Sequence, residues 1–252
     1  MHKLFYNTVF IGKKAFYLPT CHSTNELAAV MISNNKAVDG TVIYSDNQLH
    51  GKGQRGNSWE SEQSKNLLFS IILKADFIVP SDNFFLTQIS SLAIHDFLTE
   101  YVKTGLKIKW PNDIVYSNKK IAGILIENFI QKGKIEWTIL GIGVNINQIR
   151  FAAPEAISLS EICGQQFNRE ELLTLLLQRL EKRYIDLKNG KIDEIRKNYL
   201  KNMFWKDEIH VFQSDEGYFN GKILGVSSGG KLHVEMETGL KYFNFKELKF
   251  IK

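Results

Sequence analysis

The chain has only two cysteines, Cys21 and Cys163, far apart and without a Cys-x-x-Cys pair or a histidine cluster, which argues against a zinc site and a disulfide framework. Free thiols fit a reducing compartment. Nowhere do 18 consecutive apolar residues occur, so a membrane-spanning helix is excluded on length. The first sixteen residues break their apolar stretch with Asn7 and carry Lys3, Lys13 and Lys14, without a small-residue cleavage site; no secretory signal is read, and a cytoplasmic location is expected. A strong excess of one sign of charge is also lacking. Lys+Arg 32 against Asp+Glu 27 gives net +5, which suits anionic small ligands or an acidic protein partner but lacks the dense clusters of a dedicated nucleic-acid binder. There is no internal repeat and no low-complexity tract.

What is present is a full core's worth of apolar residues, 44% of the chain, enough for one large domain or one with a small appendage. Ser23-Thr24-Asn25-Glu26 has the form of a capping box, and Leu27, Val30 and Met31 follow at helical spacing, which predicts a short helix. Thr41 to Tyr44 and Leu67 to Leu73 read as strands, and between them Asn47 to Asn66 is polar and glycine-bearing, a long loop of the kind that carries function. A helical stripe runs over Phe84 to Val102. Strand-like runs follow at Lys107 to Trp110, Ile121 to Asn128 and Trp137 to Asn147, with a turn at Ser117 to Lys120. Asn168 predicts the N-cap of a helix ending near Asn189-Gly190, and a short helix over Ile192 to Leu200 closes the first domain. From about Phe204 short alternating strands, His210 to Phe212, Tyr218 to Val226, Leu232 to Glu237 and Tyr242 to Phe245, predict a small β-barrel. The expected fold is α+β, a mixed sheet with helices over residues 1–202, followed by the barrel over 203–252.

Gly51-Lys52-Gly53-Gln54-Arg55-Gly56 matches the letters of a dinucleotide fingerprint, G-x-G-x-x-G, with Asp76 about twenty residues on. That fingerprint needs a helix at its third glycine, whereas polar, aperiodic residues and then another strand follow here. A Walker loop fails too, because Asn57 rather than lysine follows Gly56. What remains is glycines that let backbone N–H groups approach an anion, with Lys52 and Arg55 adding positive charge, or else a flexible basic surface loop.

Downstream, Lys109-Trp110-Pro111-Asn112-Asp113 puts a cation, an amide and a carboxylate at a strand exit, where Pro111 forces a break. Asp113 there could hold Mg²⁺ with substrate phosphates, or Asn112 and Asp113 could cap their own turn. Lys119 and Lys120 enter an apolar strand in which Gly123 leaves room for a ligand or a neighbouring backbone. Gly141 to Asn147 ends another strand with glycines and amides, and Asn145 could read a base edge or cap the turn.

Taken together and in this order, Ser23-Thr24-Asn25, Gln48 with the GKGQRGNSW loop, KWPND, KKIAGILIE and GIGVNIN closely resemble the biotin protein ligase family over most of residues 15–150. The resemblance implies a class II synthetase-like catalytic domain with an SH3-like C-terminal domain, ATP and Mg²⁺ as cofactors, and biotin as substrate. It further implies a biotin carboxyl carrier protein or domain as acceptor, and is compatible with a homodimer. Ser23, Thr24, Asn25, Gln48, Gly51, Lys52, Gly53, Lys120 and Gly123 would bind biotin. Lys52, Gln54, Arg55, Trp59, Lys109, Asn112 and Asn145 would bind ATP or the adenylate, with Trp59 closing over it. Lys120, Asp113 and Arg55 would be catalytic, and Asp113 would serve the metal. The family's commonest loop reads G-R-G-R, where Lys52 and Gln54 stand here. Lysine offers no bidentate fork to phosphate, so either adenylate is held more loosely or Arg55 takes over the contact.

The implied chemistry needs no covalent nucleophile: biotin carboxylate attacks the α-phosphorus of ATP, pyrophosphate leaves, and the resulting mixed anhydride is taken by a lysine amine. A lipoate ligase is the nearest rival, and the loop with KWPND favours biotin; a non-catalytic biotin-binding module is a third possibility. No DNA binding is expected, since the Ser23-Thr24-Asn25 motif begins some twenty residues from the start and leaves no room for a helix-turn-helix ahead of it. Without ligand, the loop from Gly51 to Trp59 should be mobile, because it has little apolar anchoring.

Overall fold

The computed structural model describes residues 7–251 apart from the Arg55 side chain, so Lys3 and the interactions expected of Arg55 lie outside the described residues. In chain order, β1 (Ala15–Leu18), α1 (Thr24–Ser33), β2 (Thr41–Ser45) and β3 (Leu67–Lys74) lead to the long helix α2 (Phe84–Leu98). Then β4 (Leu106–Lys109), β5 (Asp113–Tyr116), β6 (Lys119–Gln131) and β7 (Lys134–Val144) complete a seven-stranded sheet of order β1-β2-β3-β7-β6-β5-β4. Only β1 and β2 run parallel; every other neighbouring pair is antiparallel. Helices α3 (Leu159–Cys163), α4 (Arg169–Lys188) and α5 (Ile192–Lys201) follow.

Period-two alternation divides the sheet's faces. Phe69, Ile71 and Leu73 of β3 enter the main core with α2 and α4, while Ile72 joins Ile43, Ile139 and Ala28 of α1 on the other face. Helix α2 is almost wholly buried between sheet and helices, and its burial takes in Gln88, Ser90, Ser91 and His95 as well as its apolar stripe. It stops at Leu98, four residues short of the expected Val102, where Thr99 Oγ1 turns back to Asp96 O. The predicted Asn168 cap is made: its Oδ1 accepts the Glu170 N–H at 3.0 Å.

Two local expectations are corrected. Ser23 occupies the N-cap of α1 without a side-chain cap bond, and Glu26, which would complete the capping box, turns outward to Lys52; the Thr24 N–H is taken by Gln48 Oε1 at 2.8 Å. The buried face of α1 is Thr24, Asn25 and Ala28, and Val30 is exposed. The second correction is β5, which the sequence pattern did not reveal. It is four residues long and hidden between Pro111 and a two-residue turn at Ser117 and Asn118, both with positive φ. Asp113 therefore opens a strand, paired with Lys109 across a hairpin whose Trp110–Pro111 peptide is cis.

The remaining strands, β8 (Ile209–Ser214), β9 (Gly217–Val226), β10 (Leu232–Met236), β11 (Gly239–Phe243) and β12 (Lys249–Phe250), form an antiparallel sheet of order β11-β10-β9-β8-β12; β12 was not expected. It is fastened to the first sheet at β4, where Ile108 N–H donates to Asn202 O and Phe204 N–H to Ile108 O. Trp110 adds a third link: 3% exposed, it donates from Nε1 to Gly230 O at 2.9 Å. Gly230 itself has φ +91 and abuts Phe84, so no side chain fits there.

Candidate active site

On the α1 face of the sheet, cross-strand registry places Ser70 opposite Gly141 and Gly141 opposite Leu125, and in the next row Gly143 opposite Gly123. Paired residues point the same way, so the glycines strip side chains from a strip of floor. That floor is used at once. A Cβ at Gly141 would lie 2.2 Å from Asn25 Oδ1, and one at Gly143 would lie 2.4 Å from Trp59 Cε2. The glycines of GIGVN and KIAGI are therefore there to admit an amide at one end and an indole at the other.

Above this floor is a cavity of about 50 Å³. Its lining includes eleven of the sequence-predicted residues: Ser23, Thr24 and Asn25 from the start of α1, Gln48, Lys52, Gly53, Gln54 and Trp59 from the loop, and Asn112, Lys120 and Gly123 from the neighbouring strands. Ligand sites usually enclose about 300–1,000 Å³, so Trp59 occupies much of the space a ligand would take. A larger cleft of about 480 Å³ beside Tyr17, Tyr44 and Leu173 contains none of the motif residues, and its Asp46 and Arg169 are paired with each other at 2.9 Å.

The end under α1 is a closed hydrogen-bond chain. Gln48 Oε1 accepts the Thr24 N–H at 2.8 Å and lies 3.1 Å from Thr24 Oγ1; Ser70 Oγ is 2.7 Å from Thr24 Oγ1 and 2.6 Å from Asn25 Oδ1. Asn25 Nδ2 donates to Glu127 Oε2 at 2.7 Å. Nearby, burial pushes the Cys21 thiol up.

The other end is built differently. Lys120 Nζ is 2.7 Å from Asp113 Oδ1 and 5.3 Å from the Trp59 ring centroid. Asn112 is pinned by an Nδ2 bond to Ile124 O at 2.7 Å and by the Ile124 N–H on its own carbonyl. Three polar atoms here are enclosed without a hydrogen-bond partner among the described residues: Trp59 Nε1, Asn145 Oδ1, and Asp113 Oδ1, whose contact with Lys120 is ionic and off the hydrogen-bond axis. Asn145 does not line the cavity; it sits behind Lys120, its Nδ2 donating to Ile157 O at 3.2 Å and Lys120 O at 3.4 Å.

The loop over the site carries backbone hydrogen bonds of its own. Gly53 N–H donates to Asn57 O, Trp59 N–H donates to Gly51 O, and Gln54–Gly56 forms a 3-10 turn ending at Gly56, φ +86. Gly51 thus serves as backbone that seats Trp59. Lys52 pairs with Glu26 at 2.7 Å, and the ammonium beside it holds the Glu26 carboxyl below its ordinary range. One expected residue lies elsewhere: Lys109 does not line the cavity; registry through Asp113 and Gly123 puts it on the cavity face, but it stands on the edge strand β4 and its Nζ lies 5.1 Å over the Phe250 ring of the C-terminal sheet. Ser70, Glu127, Gly141 and Gly143 belong to the site but were given no role from sequence, although Glu127 closes the KKIAGILIE motif and both glycines lie in GIGVNIN. The signal for Ser70 was a hydroxyl inside the otherwise apolar strand Leu67 to Leu73.

Among the described residues no helix is long and apolar enough to cross a membrane. The biotin/lipoate A/B protein ligase family model matches residues 17–145. The bifunctional ligase/repressor BirA of Bacillus subtilis is 29% identical over 245 residues, 93% of this chain and 73% of that protein. The biotin–[acetyl-CoA-carboxylase] ligase of Mycobacterium tuberculosis is 27% identical over 174 residues, 67% of this chain and 63% of its own length. Among solved structures, the biotin protein ligase from Aquifex aeolicus in complex with biotin and ATP superimposes with a TM-score of 0.77 at 26% identity, covering 95% of this chain and 99% of that one. With the matched segment running from β1 through the Trp59 loop and Lys120 to Asn145, the chain belongs to the biotin/lipoate A/B protein ligase family.

Proposed function

We propose that this chain is a biotin protein ligase that converts biotin and ATP to biotinyl-5'-AMP and transfers biotin to a lysine of a biotin carrier protein or domain. The observation that carries the proposal is the single floor strip joining the Thr24–Gln48 polar end to the Lys120–Asp113 charged end. A strand rises about 3.3 Å per residue, so Lys120 and Leu125 on β6 stand roughly 16 Å apart. That span fits an acid with a polar ring at one end and its carboxylate at the other.

The ureido ring of biotin presents an N–H beside a C=O, which suits Thr24 and Gln48; a dithiolane ring presents neither, which weighs against lipoate. Lys120 meets the carboxylate and the α-phosphate and offsets the repulsion between two anions. Displacement of pyrophosphate then leaves a mixed anhydride. The indole of Trp59, with its unpartnered Nε1, covers it, and Asn145 Oδ1 offers an acceptor for an amino group of the base. For the transfer step, freeing an ordinary lysine amine at neutral pH costs roughly 4 to 5 kcal/mol, which Asp113 lowers by taking the proton once ligand charge draws Lys120 away.

The residues also fit Mg²⁺. Among the described residues no three acidic, histidine or cysteine side chains gather into a cage, and the enclosed Asp113 Oδ1 beside Asn112 matches an ion that brings most of its ligands as phosphate and water. Asp113 and Asn112 would hold it, and it would screen phosphate charge when bound. The test is intact-mass analysis of a biotin carrier domain incubated with the protein, biotin and Mg·ATP. A mass gain of one biotinyl group, lost when the acceptor lysine is changed to arginine, supports the proposal; an unmodified carrier refutes the transfer step.

A further inference from the structure

Glu127 lies in the second half of β6, beyond the cavity lining, yet it ends the hydrogen-bond chain that begins at Gln48. We infer that Glu127, acting through Asn25 and Ser70, sets the donor and acceptor sense of the ring-binding end and is thereby a specificity-determining positioning residue; this rests on the biotin reading above.

The argument is a count of protons. A carboxylate only accepts, so Asn25 must present Nδ2 to Glu127 and turn Oδ1 toward Ser70. An amide oxygen also only accepts, so the single Ser70 hydroxyl proton is committed to Asn25 Oδ1 at 2.6 Å. The 2.7 Å contact between Ser70 Oγ and Thr24 Oγ1 then has only the Thr24 proton to draw on, and that proton's other acceptor is Gln48 Oε1 at 3.1 Å, so it is spent within the chain either way. Thr24 Oγ1 is left with lone pairs and no proton for a ligand. Gln48 is oriented from the other side: the Thr24 N–H on Oε1 leaves Nε2 as its free group. The cavity therefore presents one acceptor, Thr24 Oγ1, and one donor, Gln48 Nε2, which is the complement of a ring N–H beside a ring C=O. Gly141 holds the chain in place, because Asn25 Oδ1 packs where a Cβ would be.

A glutamine at position 127 has the same shape but can donate or accept, so the Asn25 amide can turn over and the chain can run in either sense. The selectivity, rather than the fold, should suffer. The experiment compares wild type, Glu127→Gln and Ser70→Ala by steady-state pyrophosphate release and by titration with biotin and with its 2-imino analogue, in which the ring acceptor becomes a donor.

Wild type should turn over biotin and strongly disfavour the imino analogue. In Glu127→Gln the KM for biotin should rise about tenfold, kcat and the KM for ATP should stay within about twofold, and the preference for biotin over the imino analogue should fall about tenfold. Ser70→Ala, which cuts the chain without touching the carboxylate, should give the same split. Unchanged biotin KM and preference in both variants, or a parallel loss of kcat and of both KM values, overturns the inference. Wild type inactive with biotin overturns the functional reading itself, and that outcome is seen before any variant is compared.

Discussion

The two ends of the cavity are held in opposite ways. Under α1, Gln48, Thr24, Ser70, Asn25 and Glu127 satisfy one another in an unbroken chain. Beside Lys120, Trp59 Nε1 and Asn145 Oδ1 are enclosed without partners among the described residues, and Asp113 meets Lys120 by charge alone. Unpaired buried polar atoms cost about 1 to 3 kcal/mol each, so the second end is an arrangement that a ligand completes, whereas the first is complete before the ligand arrives. A ring bound by a few neutral hydrogen bonds needs donors and acceptors fixed in advance. A nucleotide bearing several charges can organise its own surroundings.

Substitutions at the two ends should therefore separate. The largest effect is expected for Lys120→Ala: adenylate formation, read as pyrophosphate release, falls about a thousandfold or more with the fold intact, while biotin binding weakens by no more than about tenfold. Unchanged pyrophosphate release would remove Lys120 from the chemistry. Gly143→Ala should come next, since its Cβ would stand on the floor that Trp59 fills and that the ligand takes over when Trp59 covers it; adenylate formation should drop roughly a hundredfold with the biotin KM little changed. Gly141→Ala should show the converse, a biotin KM raised roughly tenfold and an unchanged ATP KM, because it displaces Asn25 alone. If these two glycines gave the same kinetic signature, the ends would not be independent.

A smaller change is expected in proteolysis. Nicking between Gly51 and Trp59 should slow several-fold when biotin and Mg·ATP are added together, and less with biotin alone, since the loop's few backbone bonds are reinforced only when Trp59 has a partner. The smallest effect belongs to the exposed Lys52–Glu26 pair: Glu26→Gln should shift the melting temperature by less than about 3 °C, as exposed pairs contribute about 0–1 kcal/mol.

Most of the charged end was legible in the sequence because its residues come in tight local motifs, GKGQRGNSW, KWPND and KKIAG, whose chemistry is visible without the fold. The polar end was legible only in part. Thr24, Asn25 and Gln48 could be singled out, but Ser70 and Glu127 are joined to them by registry across β3, β7 and β6, and no local pattern announces which face of a strand meets a distant helix. Lys109 shows a related limit: it shares the site motif and the cavity face, but its place on the edge strand β4, beside Phe250 of the C-terminal sheet, is a matter of sheet order that the motif does not carry. The capping box misleads for the same reason as Ser70: its Glu26 is claimed by Lys52 of the distant loop, and Ser23 makes no cap bond. Helices with long apolar stripes, α2 and α4, were read well because their burial demands the pattern. β5 and β12 were missed because two to four residues carry no periodicity.

The most direct measurement is pyrophosphate release by the purified protein with Mg·ATP and no carrier, with biotin in one tube and lipoate in the other. Release with biotin and not lipoate, giving an acyl adenylate that stays with the protein, is the expected result. Release with lipoate alone, or with neither acid, would contradict it.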